Sequence, residues 1–250
     1  MQAKRWDGLI ASGITAIVGA GGKTTVLSKL VEYGLLKGQP TAVTTTTKLY
    51  RTQVDLWNPY YGDDFNAAEE HCAATVREGR CAAWFRGIEG TKVQSLEVGD
   101  IDQLHLMHPS WHIAVEADGA KEKWLKAPKS TEPVIPRLTK RTIGVLNLQV
   151  LGRPLSDEYI HNIEEVSALL DRPAGAIITP GMLAKLVADR RGLFQYAAGD
   201  RILFCTGYDT VPHRIIDGFL DMLTGTSLHS IYLADGYKAS CEIRRTLRWK

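Results

Sequence analysis

The residues with the clearest chemical potential are Gly19-Ala20-Gly21-Gly22-Lys23-Thr24-Thr25. Gly19, Gly21 and Gly22 allow a backbone to curl its N–H groups toward an anion without Cβ clashes. Lys23 has the reach for the outer phosphates of a nucleoside triphosphate, and the Thr24 hydroxyl suits a Mg²⁺ bound to them. The spacing is G-x-x-G-K-T-T. It is shorter than G-x-x-x-x-G-K-[ST], which would place its first glycine at Ile17. Gly19, Gly21, Gly22, Lys23, Thr24 and Thr25 are therefore nucleotide-binding candidates. The bland alternative is a glycine-rich turn between a strand and a helix.

A second group of candidates is acidic. Trp111-His112-Ile113-Ala114-Val115-Glu116-Ala117-Asp118-Gly119 is an apolar run ending in carboxylates. Such an acid holds Mg²⁺ or its water shell in nucleotide-binding α/β domains. Strand alternation puts Glu116 and Asp118 on one face. Both are metal and catalytic candidates beside Lys23. The alternative is a pair of ordinary acids before a glycine turn. Thr44-Thr45-Thr46-Thr47 offers hydroxyls for metal, water or phosphate, and equally the β propensity of a strand end. Lys48 reads as a phosphate neighbour or a solvated lysine. The segment 120–136 carries four lysines and three prolines and reads as an extended loop. Its lysines suit a phosphorylated or carboxylated substrate, or simply water. His105, His108 and His112 have metal-like spacing, but Pro109 breaks the helix that would align them, so structural histidines are expected. Cys72, Cys81, Cys205 and Cys241 form no C-x-x-C and are expected to be reduced and mostly buried.

The elements that must position these residues follow from periodicity. Ile14–Val18 is a buried-type strand, and Leu27, Leu30, Val31 and Leu35 recur at helical spacing up to Gly38-Gln39-Pro40. Thr41–Thr47 reads as a second strand. Strand, loop, helix and strand at this length imply a parallel pair with a right-handed crossover. That arrangement would put Thr45, Thr46, Thr47 and Lys48 beside the phosphate loop. Further helices are predicted over 63–77, 98–105, 156–170, 180–190 and 212–223. Further strands are predicted over 81–85, 142–148, 201–206 and 230–234, with the basic tail 244–250 closing as an edge strand. The fold class is α/β: a three-layer, phosphate-loop NTPase-like domain with a mostly parallel sheet. One domain over 1–250 is expected, with a small insertion at 51–110.

The chain has 250 residues, 44% of them hydrophobic, and a net charge of +2. That balance suits a globule with a substantial core and gives no argument for nucleic acid or a membrane surface. The apolar runs are strand-sized, and the N-terminus lacks the apolar stretch of a signal peptide, so cytoplasm is the expected location.

The loop itself resembles the ATP loop of the Mur and folylpolyglutamate ligases. Taken with Val43-Thr44-Thr45-Thr46-Thr47-Lys48, Glu116-Ala117-Asp118-Gly119-Ala120-Lys121, Leu125-Lys126-Ala127-Pro128 and Glu132-Pro133-Val134-Ile135-Pro136, it resembles the YqeC family. These are accessory proteins assigned to selenium-dependent molybdenum hydroxylases. The similarity continues through Gly152-Arg153-Pro154-Leu155 and Ile178-Thr179-Pro180. The resemblance implies ATP or GTP with Mg²⁺, and a role in making or inserting a selenium-containing molybdenum cofactor. It highlights Gly22, Lys23 and Thr24 as phosphate and Mg²⁺ contacts, with Glu116, Asp118, Lys126 and Glu132. Thr45, Thr46, Thr47, Lys126 and Glu132 are then the substrate-binding candidates. Two departures stand out. Trp124 replaces a proline before the Leu-Lys pair. Of an Asn-Lys-x-Asp run that reads a purine, only Asp209 of Thr206-Gly207-Tyr208-Asp209 remains. Two functions follow: a Mg²⁺-dependent NTPase or phosphoryl-transfer enzyme, or a nucleotide-switched delivery factor for a molybdenum hydroxylase client. A Mur-like ligase is a weaker fit, because such chains carry additional substrate domains. Oligomeric state is not readable from the sequence.

Overall fold

A computed structural model describes residues 2–237 and 240–248 of the chain. The chain divides into two compact units, one of residues 1–17, 26–119 and 134–141, the other of residues 18–25, 120–133 and 142–250.

The first unit opens with helix α1 (Gln2–Trp6), then strand β1 (Gly13–Gly19), whose last residues pass into the second unit. Helix α2 (Lys23–Leu36) and strand β2 (Thr41–Thr45) follow. Next come β3 (Leu49–Tyr50), β4 (Tyr60–Tyr61), α3 (Phe65–Arg77), β5 (Ala82–Phe85), β6 (Gly87–Glu89), β7 (Lys92–Gln94), α4 (Val98–Met107) and β8 (His112–Glu116). Every residue of β1, β2 and β8 is buried, as expected of parallel strands covered on both faces. Ile14, Ala42, Trp84, Ile113 and Val115 from the strands pack with Ala68 and Cys72 of α3 and Ile101 and Leu104 of α4. The Trp84 indole, buried among them, donates to Gly62 O at 2.8 Å. The segment 51–110 thus supplies both strands and core to this unit.

The second unit contains β9 (Leu125–Lys126), β10 (Thr139–Asn147, entered from the first unit), β11 (Ile160–His161), α5 (Ile163–Leu170), α6 (Pro180–Ala188), β12 (Asp200–Thr206), α7 (His213–Met222), β13 (Ser230–Asp235) and β14 (Glu242–Arg248). Pro180 occupies the first turn of α6, where its missing N–H is harmless, and the Thr179 hydroxyl accepts from Met182 N. β14 pairs antiparallel with β13 as the edge. The basic tail is therefore a strand through Arg248; Trp249 and Lys250 lie outside the described residues.

In the first unit the strands pair in parallel in the order β1-β8-β2-β5-β4, and in the second β12 pairs in parallel with β13, so the pairing is mostly parallel, as the α/β reading expected. Two smaller sheets are β3-β7-β6 in the first unit and β11-β9 in the second.

Three expectations need correction. β1 and β2 are parallel but not neighbours, because β8 lies between them, paired with each. A strand much later in the chain takes the place that a simple βαβ unit would close. The helix predicted from Ser156 begins only at Ile163, after Asn162 at φ +57°. Ile160 and His161 form a strand instead, because their backbone pairs with Leu125 and Lys126. Long-range pairing here outweighs a local helix prediction. The strand predicted to Thr47 ends at Thr45. Among the described residues, no helix is long and apolar enough to cross a membrane.

Candidate functional site

In the second unit the glycine loop joins the end of β1 to the first turn of α2. Gly19, Gly21 and Gly22 sit at φ +93°, +76° and +135°. Two of them are also sterically forced. A Cβ at Gly19 would stand 2.2 Å from Val145 O, and one at Gly21 would stand 2.3 Å from Asn147 Cβ. The loop is braced from several sides. Ala20 N donates to Val145 O at 3.0 Å, Thr206 Oγ1 to Gly21 O at 2.7 Å, and Thr25 Oγ1 to Tyr237 O at 2.8 Å. Lys23 is 5% exposed, and its Nζ donates to Gly19 O at 2.8 Å, spanning the loop end to end. A rigid turn with positive φ glycines at the head of a 14-residue helix presents N–H donors and partial positive charge to an anion.

The lysine-rich segment of the same unit is pinned, not loose. Trp124 N donates to Tyr159 O at 2.8 Å. Gln195 Nε2 donates to Lys129 O at 2.7 Å and Glu132 O at 2.6 Å, and Tyr196 OH donates to Ser130 O at 2.7 Å. Lys126 is 2% exposed and pairs with Glu132 at 3.0 Å. Its strand partner is His161. Burial first, then the charges of Lys126, Lys121 and Lys23, hold His161 below its ordinary pKa, against the opposing pull of Glu132. A largely neutral imidazole thus shares its surroundings with three lysines and one carboxylate. Asp209 does a structural job: its Oδ1 accepts from Gly236 N at 2.9 Å, holding together the turns that follow β12 and β13.

In the first unit Glu116 ends β8, in register with Ile17 of β1 on one side and Thr45 of β2 on the other. Glu116 is 5% and Asp118 3% exposed. Ala117 N donates to Ile17 O at 2.9 Å, which carries the chain past the strand end. The threonine protons are committed to carbonyls: Thr44 to Trp84 O, Thr45 to Glu116 O and Thr46 to Val134 O. Thr45 Oγ1 also accepts from Thr47 N at 3.0 Å, and Thr47 Oγ1 lies 3.5 Å from the place a Gly119 Cβ would take. Lys48 pairs with Glu89 on the surface.

The histidines in the first unit have structural surroundings. His108 pairs with Glu69 at 2.7 Å and stacks on Trp111. His112 is fully buried, with Nε2 3.1 Å from Thr15 Oγ1. All four cysteines are buried, and burial pushes the Cys72 thiol up to about 12, so it stays protonated.

The comparisons with known proteins add a family. A model described as the YqeC protein family matches residues 15–164. A protein of Escherichia coli K12 called uncharacterized protein YqeC is 30% identical over 225 residues, spanning 89% of this chain and 87% of its own length. The chain belongs to the YqeC family. The match covers the loop, Thr44–Thr47, Glu116, Asp118, Lys126, Glu132 and His161.

His161, Asn147, Thr206 and Gln195 are residues of this YqeC-family chain that sequence reasoning passed over. Only His161 carried a signal, as a titratable residue just before an apolar helical run. Asn147 and Thr206 bear on the glycine loop, and Gln195 on the lysine-rich segment, through tertiary contacts alone.

Proposed function

We propose that the chain binds ATP or GTP with Mg²⁺ and hydrolyses it or transfers its γ-phosphoryl group. The observation that carries this reading is the braced Gly19–Thr25 loop, with buried Lys23 at the head of α2. Loop N–H groups and Lys23 would hold the phosphates, and Thr24 the metal. Catalysis of this kind is positioning and charge neutralisation, which fixed donors supply without reorganising.

The Mg²⁺ role of Glu116 and Asp118 rests on their chemistry. They are hard oxygen donors, buried at the end of a strand. Mg²⁺ in phosphoryl-transfer sites needs only one or two carboxylates besides phosphate and water. Bound by these oxygens, the ion would supply positive charge. The acceptor class is read from Lys126, Glu132 and His161. The charges of Lys126, Lys121 and Lys23 bear on a neutral His161 imidazole against the single carboxylate of Glu132, and that excess of positive charge suits an anionic acceptor, a carboxylate or a phosphorylated intermediate. At the finest level, we assign this activity to maturation of a selenium-containing molybdenum cofactor for a molybdenum hydroxylase client. The support is family membership and the motif set quoted above.

Equilibrium binding of ATP and GTP with Mg²⁺ tests the reading, by calorimetry or thermal shift. Lys23→Ala is expected to weaken nucleotide binding by about a hundredfold, the loss of a buried charge-assisted contact. Unchanged affinity in that variant would overturn it. Turnover that needs a small anionic acceptor supports the enzyme, and turnover that needs a client protein supports a delivery factor.

A further inference from the structure

A nucleotide presents a flat heterocycle as well as phosphates, and a loop that grips phosphate fixes how far away that ring can lie. Around the loop, within the second unit, stand three aromatic side chains. Trp124 O lies 3.0 Å from the place a Cβ at Gly21 would occupy, so the Trp124 backbone abuts the loop. Its ring centroid is 5.1 Å from that of Tyr159 and 6.2 Å from that of Tyr237, the latter edge-on. Tyr237 is also tied to the loop. Its carbonyl accepts from Thr25 Oγ1 at 2.8 Å, and its Cβ is 3.5 Å from where a Cβ at Gly22 would be. The Arg153 guanidinium sits 5.6 Å over the Tyr159 ring.

Position and exposure separate this group from core packing. Trp124, Tyr159 and Tyr237 are all half-exposed, whereas Trp6, Trp57, Trp84 and Trp111 are buried. The turns after β12 and β13 meet beside the loop, through Gly207 N to Gly236 O at 3.0 Å and Thr206 Oγ1 to Gly21 O at 2.7 Å. Strand carboxyl ends are where ligands settle in open α/β sheets. The acid that sequence reading assigned to the base, Asp209, spends one oxygen on Gly236 N.

We propose that Trp124, with Tyr159 and Tyr237 beside it, is a stacking platform for the base of the nucleotide held by the Gly19–Thr25 loop. This rests on the nucleotide reading above. Stacking tolerates any base, because every base has a π-face, so ATP and GTP bind with affinities within about threefold of each other. Trp124 is the half-exposed indole among the described residues, so its fluorescence reports the contact directly.

The test titrates the full-length chain with ATP, GTP and tripolyphosphate, each with Mg²⁺, following tryptophan emission and calorimetric affinity. ATP and GTP are expected to quench the emission, while tripolyphosphate binds without quenching. Trp124→Ala is expected to lose about tenfold or more in ATP affinity, the loss of one stacked base, with tripolyphosphate affinity unchanged. Trp124→Phe keeps a ring and is expected to stay within about threefold of wild type. Unchanged ATP affinity in Trp124→Ala would overturn the platform, as would equal losses for ATP and tripolyphosphate. Should Trp124→Ala fail to fold, absence of ATP quenching in the wild type overturns it alone. Binding of neither ATP nor tripolyphosphate by the wild type would remove the nucleotide reading itself, and the platform with it.

Discussion

Lys126 shows what a single side chain can reveal about a site. Lysine is almost never fully buried unless paired, yet Lys126 is 2% exposed and its ammonium lies 3.0 Å from Glu132. Removing the partner of a buried charge commonly costs 3–5 kcal/mol. The Glu132 side chain is 31% exposed, so water screens part of that effect. Glu132→Gln is therefore expected to lower the urea-unfolding free energy by about 2 kcal/mol. The double variant Lys126→Met with Glu132→Gln should recover much of the loss, since the charge that needed a partner has gone. A Glu132→Gln variant as stable as wild type would mean that other groups hold the lysine charge.

Elements decide which of these residues meet. The backbone pairing of β9 with β11 brings His161 beside Lys126, and it consumes residues that the sequence alone assigns to a helix. Where no long-range pairing competes, local rules hold. Asp64 caps α3 by accepting from Asn66 N and Ala67 N, two donors that the helix cannot satisfy itself. Asp64→Ala should cost about 1 kcal/mol in chemical unfolding, and Asp64→Asn much less, because asparagine caps about as well. An equal loss in both variants would point to charge, not the cap. α6 follows the same logic, with Thr179 as cap and Pro180 in its first turn.

One contribution to the pH response of the whole molecule comes from a histidine sealed in the first unit. Burial first, then the nearby Arg141 charge, lowers the His112 pKa from 6.5 to about 3. Above pH 6.5 the ring is neutral in both folded and unfolded chains, and its contribution to stability is fully present. As pH falls from 6.5 toward 3, only the unfolded chain gains the proton, so stability declines by up to about 1.4 kcal/mol per pH unit. Urea unfolding at successive pH values measures that slope, and His112→Gln should flatten it; the same slope in both proteins would acquit this residue. Taken alone, the sequence determined the α/β class, the glycine loop with Lys23 at the head of α2, the burial of the strand ending at Glu116, and the helices α3 and α6. Each is written in a short span of chain, as periodicity, turn chemistry or residue type. Only the tertiary structure decided that β8 separates β1 from β2, that His161 joins Lys126, and that Trp124 and Tyr237 stand beside the glycine loop. Those outcomes depend on which distant segments pair, and that choice is made by burial and backbone hydrogen bonding over the whole chain, not by any local pattern.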